Sequence, residues 1–144
     1  MMMKVQYFCF VVAASAALVG MSVGVFMGLS HDFRLAPAHA HLNLLGWVTM
    51  SLYGLYHRGR ERAATMLSWI QAGSGAVGFV CMATGIALIL TSSTPAALPV
   101  ALGGAFICIL SMLLFLIIVA TDAWRASSSE GKVHRRLLQA VNRA

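Results

Sequence analysis

The chain has 144 residues, of which 60% are hydrophobic and only 10% charged, with a mean hydropathy of +0.84. Such a balance excludes an ordinary soluble domain and points to an integral membrane protein. The net charge of +6 is concentrated in one link and in the C-terminal tail, so it reads as topology and attraction to anionic headgroups, not as a nucleic-acid surface.

Four apolar stretches follow one another, at residues 5–30, 38–56, 66–90 and 99–121. Each is near the ~20 residues that a spanning helix needs. Their apolar runs are continuous and do not alternate, which argues against a β-barrel. The fold expected is all-α, a four-helix integral membrane bundle at residues 1–124 with a basic cytoplasmic tail at 125–144.

The first stretch follows Lys4 and superficially resembles a signal peptide. Its apolar run continues to Leu29, longer than a usual signal core, so we read it as a retained span. Gly20, Gly24 and Gly28 form a ladder on one face, which permits close helix approach within the chain or between subunits. The first loop carries His31, Asp32 and Arg34, and the second stretch opens with Pro37.

The link after the second stretch places His57, Arg58, Arg60 and Arg62 against Glu61. His57 is expected to be solvated there, and Tyr53 and Tyr56 to lie at the membrane interface. The third stretch carries Gln71, Ser74, Gly73, Gly75, Gly78 and Gly85. These glycines suit helix packing, or space for a flat cofactor. The third loop has no charge, and Pro95 and Pro99 flank the start of the fourth helix.

Past Trp124 the tail holds Arg125, Lys132, Arg135, Arg136 and Arg143 against Glu130. Val133, Leu137, Leu138 and Val141 would share one side of an amphipathic surface helix, with Ser127, Ser128 and Ser129 as a hinge or helix start. Positive-inside bias then places both termini and the basic middle link in the cytoplasm of a bacterial-type inner membrane. Cys9, Cys81 and Cys108 lie within apolar stretches without CxxC spacing and read as core residues.

His39 and His41 stand out. Ionisable groups in a membrane helix cost a few kcal/mol, so they are functional candidates. Residues two apart on a helix diverge by about 200°, so the pair cannot easily chelate one metal from one chain. It can instead offer one ligand to each of two neighbouring sites. Neutral imidazole suits heme iron and copper alike. Arg34, in the loop just above, is placed to pair with a heme propionate, and it would equally serve as a headgroup anchor. Trp47 would pack in the core or against a porphyrin. Paired carboxylates, a phosphate loop and an HExxH motif are absent from the sequence.

The string Ala38-His39-Ala40-His41-Leu42-Asn43-Leu44-Leu45-Gly46-Trp47 resembles the catalytic subunit of heme–copper oxidases and nitric-oxide reductases. In that family a His-x-His motif on the tenth helix serves two hemes, and the second helix bears a heme-ligating histidine before Asn-Leu-Leu. His39-Ala40-His41 is similar to the former, and His41-Leu42-Asn43-Leu44-Leu45 to the latter. The likeness covers about ten residues closely, and beyond them only helix count and topology.

The resemblance implies a four-helix chain equivalent to one arc of a twelve-helix ring. Three copies would rebuild that ring as a homotrimer, with His39 of one chain facing His41 of the next. It implies heme b with His39 and His41 as axial ligands and Arg34 as propionate partner. The chain departs from the family in lacking further histidines at that depth for copper, and a bis-histidine iron offers oxygen no open position. The expected role is electron transfer or redox/gas sensing, with an unidentified redox partner. The rivals are a copper-binding membrane protein and a cofactor-free interaction or assembly protein for a respiratory complex.

Overall fold

The computed structural model describes residues 4–60, 64–92 and 94–141, with side chains through Ser128. Glu61 and Arg62 of the basic link, and the tail side chains expected to form an amphipathic face, lie outside the described residues. All regular structure among the described residues is helical.

Helix α1 spans Val5–Ser30 and ends where His31 turns left-handed, at φ 53°. A left-handed residue just past the last turn is a common helix stop. Helix α2, Ala36–His41, starts with Pro37 in its first turn, where a missing N–H costs nothing. It passes directly into a π-helical segment, Leu42–Thr49, and then into α3, Met50–Gly59. His41, Leu42, Thr49 and Met50 all keep right-handed helical dihedrals, so the chain runs as one rod through residues 36–59. Thr49 Oγ1 donates to the Leu44 carbonyl at 2.9 Å, meeting an acceptor one turn of the wider helix away.

Helix α4, Met66–Thr91, is started by a reciprocal cap between Thr65 and Ser68. Helix α5, Ala97–Val141, continues without a break through Ser127–Ser129. The hinge expected there is absent: Ser128 Oγ donates back to the Trp124 carbonyl at 2.9 Å, so the serine is satisfied within the helix.

Among the described residues three helices are long and apolar enough to cross a membrane: Val5–Ser30, Met66–Thr91 and Ala97–Ser128. Only 17–28% of their most apolar windows is buried inside the protein. Large residues such as Phe26, Leu29, Phe106, Leu116 and Trp124 point outward, which suits lipid as the surrounding solvent. The inward faces carry smaller residues, including Cys9, Ala13, Ala16 and Ala72, with Met50, Tyr53 and Phe79 filling the centre. Small residues permit the close backbone approach on which helix association in lipid depends.

α4 and α5 pack along their lengths, and a Cβ at Gly85 or Gly104 would strike the backbone of Ala101 or Met82. Gly75 and Gly78 abut Ser111 and Cys108 of α5. Gly75, Gly78 and Gly85 therefore serve helix packing, while Gly73 faces open space. Cys9, Cys81 and Cys108 are free thiols, with Cys9 buried.

Candidate functional site

α1 packs against the rod formed by α2, the π segment and α3. The α1 glycine ladder makes room for polar side chains from that rod. A Cβ on Gly20 would stand 2.5–2.8 Å from the Asn43 amide, and one on Gly24 would stand 3.1 Å from His39 Cε1. Gly28 faces open space. Two of the three rungs thus belong to contacts within the chain.

His39 is half-buried, with its Cε1 edge wedged toward Gly24. Asn43 lies one turn along and its Nδ2 donates to the His39 carbonyl at 2.9 Å. The same amide nitrogen sits 3.3 Å from His39 Nδ1 and 3.4 Å from Nε2. Because the carbonyl can only accept, the Asn43 nitrogen is fixed as the group facing the ring. Asn43 therefore positions His39 and is itself seated on Gly20.

Among the described residues His39 is also the only ionisable side chain lining a cavity of about 500 Å³. The cavity lies between α1, α2 and α4, and its walls are Val12, Val19, Val23, Leu42, Phe79 and Ala83, with Ser15 and Thr84 as other polar contributors. Its size and apolar character are those of a small-molecule site.

His41 is half-buried and its Nδ1–H donates to the Pro37 carbonyl at 2.8 Å. A backbone carbonyl has no proton to give, so this bond fixes the tautomer and leaves the Nε2 lone pair unused by that contact. A bond of this kind orients metal-binding histidines. His41 does not line the His39 cavity.

Arg34 is committed to a neighbour. Its Nε lies 3.0 Å from both Asp32 carboxylate oxygens and its Nη2 lies 2.6 Å from Oδ2. The Arg34 hydrogen bonds hold the Asp32 carboxyl down at about 2, and the pair raises the Arg34 guanidinium in turn. A propionate at Arg34 would have to compete with Asp32. His31, the αL residue, is exposed. Trp47 is 49% exposed and points out of the bundle, so it fills no core within this chain.

The other end of the bundle carries polar groups that the sequence reading placed wrongly. His57 is not solvated: it is 5% exposed, and its Nε2–H donates to Gln71 Oε1 at 3.0 Å. Its Nδ1 is buried without a hydrogen-bond partner. Tyr53 is also buried within the bundle. Nearby, Arg60 binds Asp122 through Nε at 2.6 Å and Nη2 at 3.1 Å, and Tyr56 donates to the same carboxylate at 3.0 Å. The arginines near His57 suggested solvent, but among the described residues Arg58 alone is exposed, His57 faces inward, and Arg60 folds onto Asp122 and Ser68. Gln71 and Ser111 were the available signal, since polar residues inside apolar stretches demand partners.

Among the described residues no group of three or more histidine, cysteine or acidic side chains gathers in metal-binding geometry. No protein-family model, curated protein or solved structure matches this chain.

Proposed function

We propose that this is a four-pass heme-b-binding protein of a bacterial-type inner membrane, related to the catalytic subunit of heme–copper oxidases, working in electron transfer or redox/gas sensing. The observation that carries the reading is the apolar cavity of about 500 Å³ with His39 as its one ionisable wall residue. An apolar body held by one imidazole is what such a cavity suits. Heme, when bound, supplies a one-electron couple.

His39 would hold the group from the cavity wall, kept in orientation by Asn43 and Gly24. Among the described residues nothing else lining the cavity offers a side-chain nitrogen ligand. His41 of a neighbouring copy, whose tautomer is already set by Pro37, would supply a second ligand. Three such boundaries close a homotrimer. Arg34 would exchange Asp32 for a propionate, a substitution of one carboxylate for another on the same fork.

The test is the absorption spectrum of protein purified from membranes in mild detergent, with a pyridine hemochrome and metal analysis. About one low-spin b-type heme per chain is expected. His39→Ala and His41→Ala should each abolish bis-histidine coordination, and a normal low-spin spectrum in either variant removes the shared site. Stoichiometric copper without heme would favour a copper-binding protein using His39 and His41. Neither cofactor would leave an interaction or assembly protein.

A further inference from the structure

Sulfur-bearing side chains gather at one place inside the bundle. A small cavity between the π segment, α3, α4 and α5 is lined by Met50, Cys108 and Met112, together with Thr49, Tyr53 and Ser111. It measures about 20 Å³, room for one ion or one water and nothing larger. Met50 enters from the first turn of α3 and is fully buried. Cys108 and Met112 stand one turn apart on α5 and so share a face. Across from them, Gly75 and Gly78 of α4 clear the space. A Cβ at Gly75 would stand 3.4 Å from Met50 Sδ, and one at Gly78 would stand 2.8 Å from Cys108 Sγ. Those two positions lie about 5–6 Å apart on one helix face, so both sulfurs sit over a single turn of α4. Cys108 is a free thiol. The Met112 sulfur lies 3.9 Å from the Tyr53 hydroxyl, but that hydroxyl also has hydrogen bonds with Ser111 and Gln71 and does not depend on the thioether.

We propose that this cavity is a binding site for one soft monovalent metal ion, Cu(I), held by the Cys108 thiolate and the Met50 and Met112 thioethers. Thiolate and thioether ligands select Cu(I) over harder ions. Charge makes the same choice. One thiolate cancels one positive charge and two thioethers add none, so the loaded site is neutral. A divalent ion such as Zn²⁺ would leave a net charge inside an apolar bundle, which a membrane interior penalises.

Loading is a ligand exchange without oxidation or reduction. The bond from Cu(I) to the sulfur of a soluble thiolate carrier breaks, and the bond to the Cys108 sulfur forms. The Cys108 proton passes to the carrier's sulfur. None of the residues lining this cavity lines the His39 cavity, so the inference stands apart from heme binding.

The test is an anaerobic Cu(I) titration of the full chain in mild detergent, against a chromogenic Cu(I) chelator. It is run on the wild type and on a chain carrying both His39→Ala and His41→Ala. X-ray absorption at the copper edge follows. The double variant should still take up one Cu(I) per chain, with sulfur neighbours only, at about 2.3 Å, the length of a metal–thiolate bond. Adding Cys108→Ser should weaken binding by ~100-fold or more, and adding Met112→Leu by ~10-fold or more. Loss of all binding in the double histidine variant would put the copper on the histidines and overturn the sulfur site. Nitrogen neighbours in that variant would do the same. Binding unchanged by Cys108→Ser, an equal affinity for Zn²⁺, or a folded wild-type chain that takes up no Cu(I) would each overturn it as well.

Discussion

A methyl group at Gly20 would meet three atoms of the Asn43 amide within 2.8 Å. Asn43 cannot retreat without giving up the His39 carbonyl, so Gly20→Ala should cost about 1–3 kcal/mol of overpacking, offset in part by the ~1 kcal/mol that alanine gains in helix propensity. Gly28→Ala, into open space, carries only the gain. Thermal unfolding in detergent should therefore separate the two, with Gly20→Ala lower. Equal melting temperatures would remove the seat assigned to Gly20. At the loop above, Asp32 ordinarily titrates near 3.8 and is held at about 2 by Arg34. Its folded value is depressed, so whatever the pair contributes is present above 3.8 and lost as pH falls toward 2. In Arg34→Ala an NMR titration should return Asp32 to its ordinary range. The ladder spacing was readable in the sequence, but its purpose was not, because spacing does not say which side chain fills the groove.

At the scale of elements, α1 and the start of α4 fall where the apolar runs place them, since a run near ~20 residues has few other uses. The π segment was not legible. Leu42–Thr49 has an ordinary apolar composition, and nothing in it marks where Gly46 packs closely against Ala16 and Phe79. His57 was misread for a related reason: the charged residues near it in sequence are Arg58 and Arg60, while its partner in space is Gln71 of α4. The His57–Gln71 pair crosses from α3 to α4, and its removal should be costly in one direction only. Gln71→Leu strands His57 and leaves Ser111 without its donor, at a cost of about 1–3 kcal/mol. His57→Leu with Gln71→Leu removes both partners and should recover part of that loss. A double-mutant cycle by denaturant unfolding should give coupling on the order of 0.5–3 kcal/mol; strict additivity would show that the pair is not formed.

For the whole molecule, the decisive question is how many times the chain crosses the bilayer. The rod through residues 36–59 is interrupted by π geometry and is less uniformly apolar than the other three, yet its dihedrals show no break. A rod of that length rises about 1.5 Å per residue, enough to cover a ~30 Å core. If it crosses, Phe33 and Ala64 lie on opposite faces. The arginines then sort as positive-inside bias requires, with Arg58, Arg60 and Arg125 on one side and the neutralised Asp32–Arg34 pair on the other. α5 fits the same orientation, since at about 1.5 Å per residue it is far longer than the membrane is thick and carries its basic end beyond it. The prediction is tested with Phe33→Cys and Ala64→Cys, each in a background where Cys9, Cys81 and Cys108 are alanine. A membrane-impermeant maleimide should label Phe33→Cys in intact cells and Ala64→Cys only after the membrane is opened. Labelling of both from outside would make the rod a re-entrant or surface helix, and a protein with three crossings would put its two ends on opposite sides. Four crossings with the basic link inside would put His39 and Asn43 near the outer face, separated from the cytoplasm by the buried polar end of the bundle.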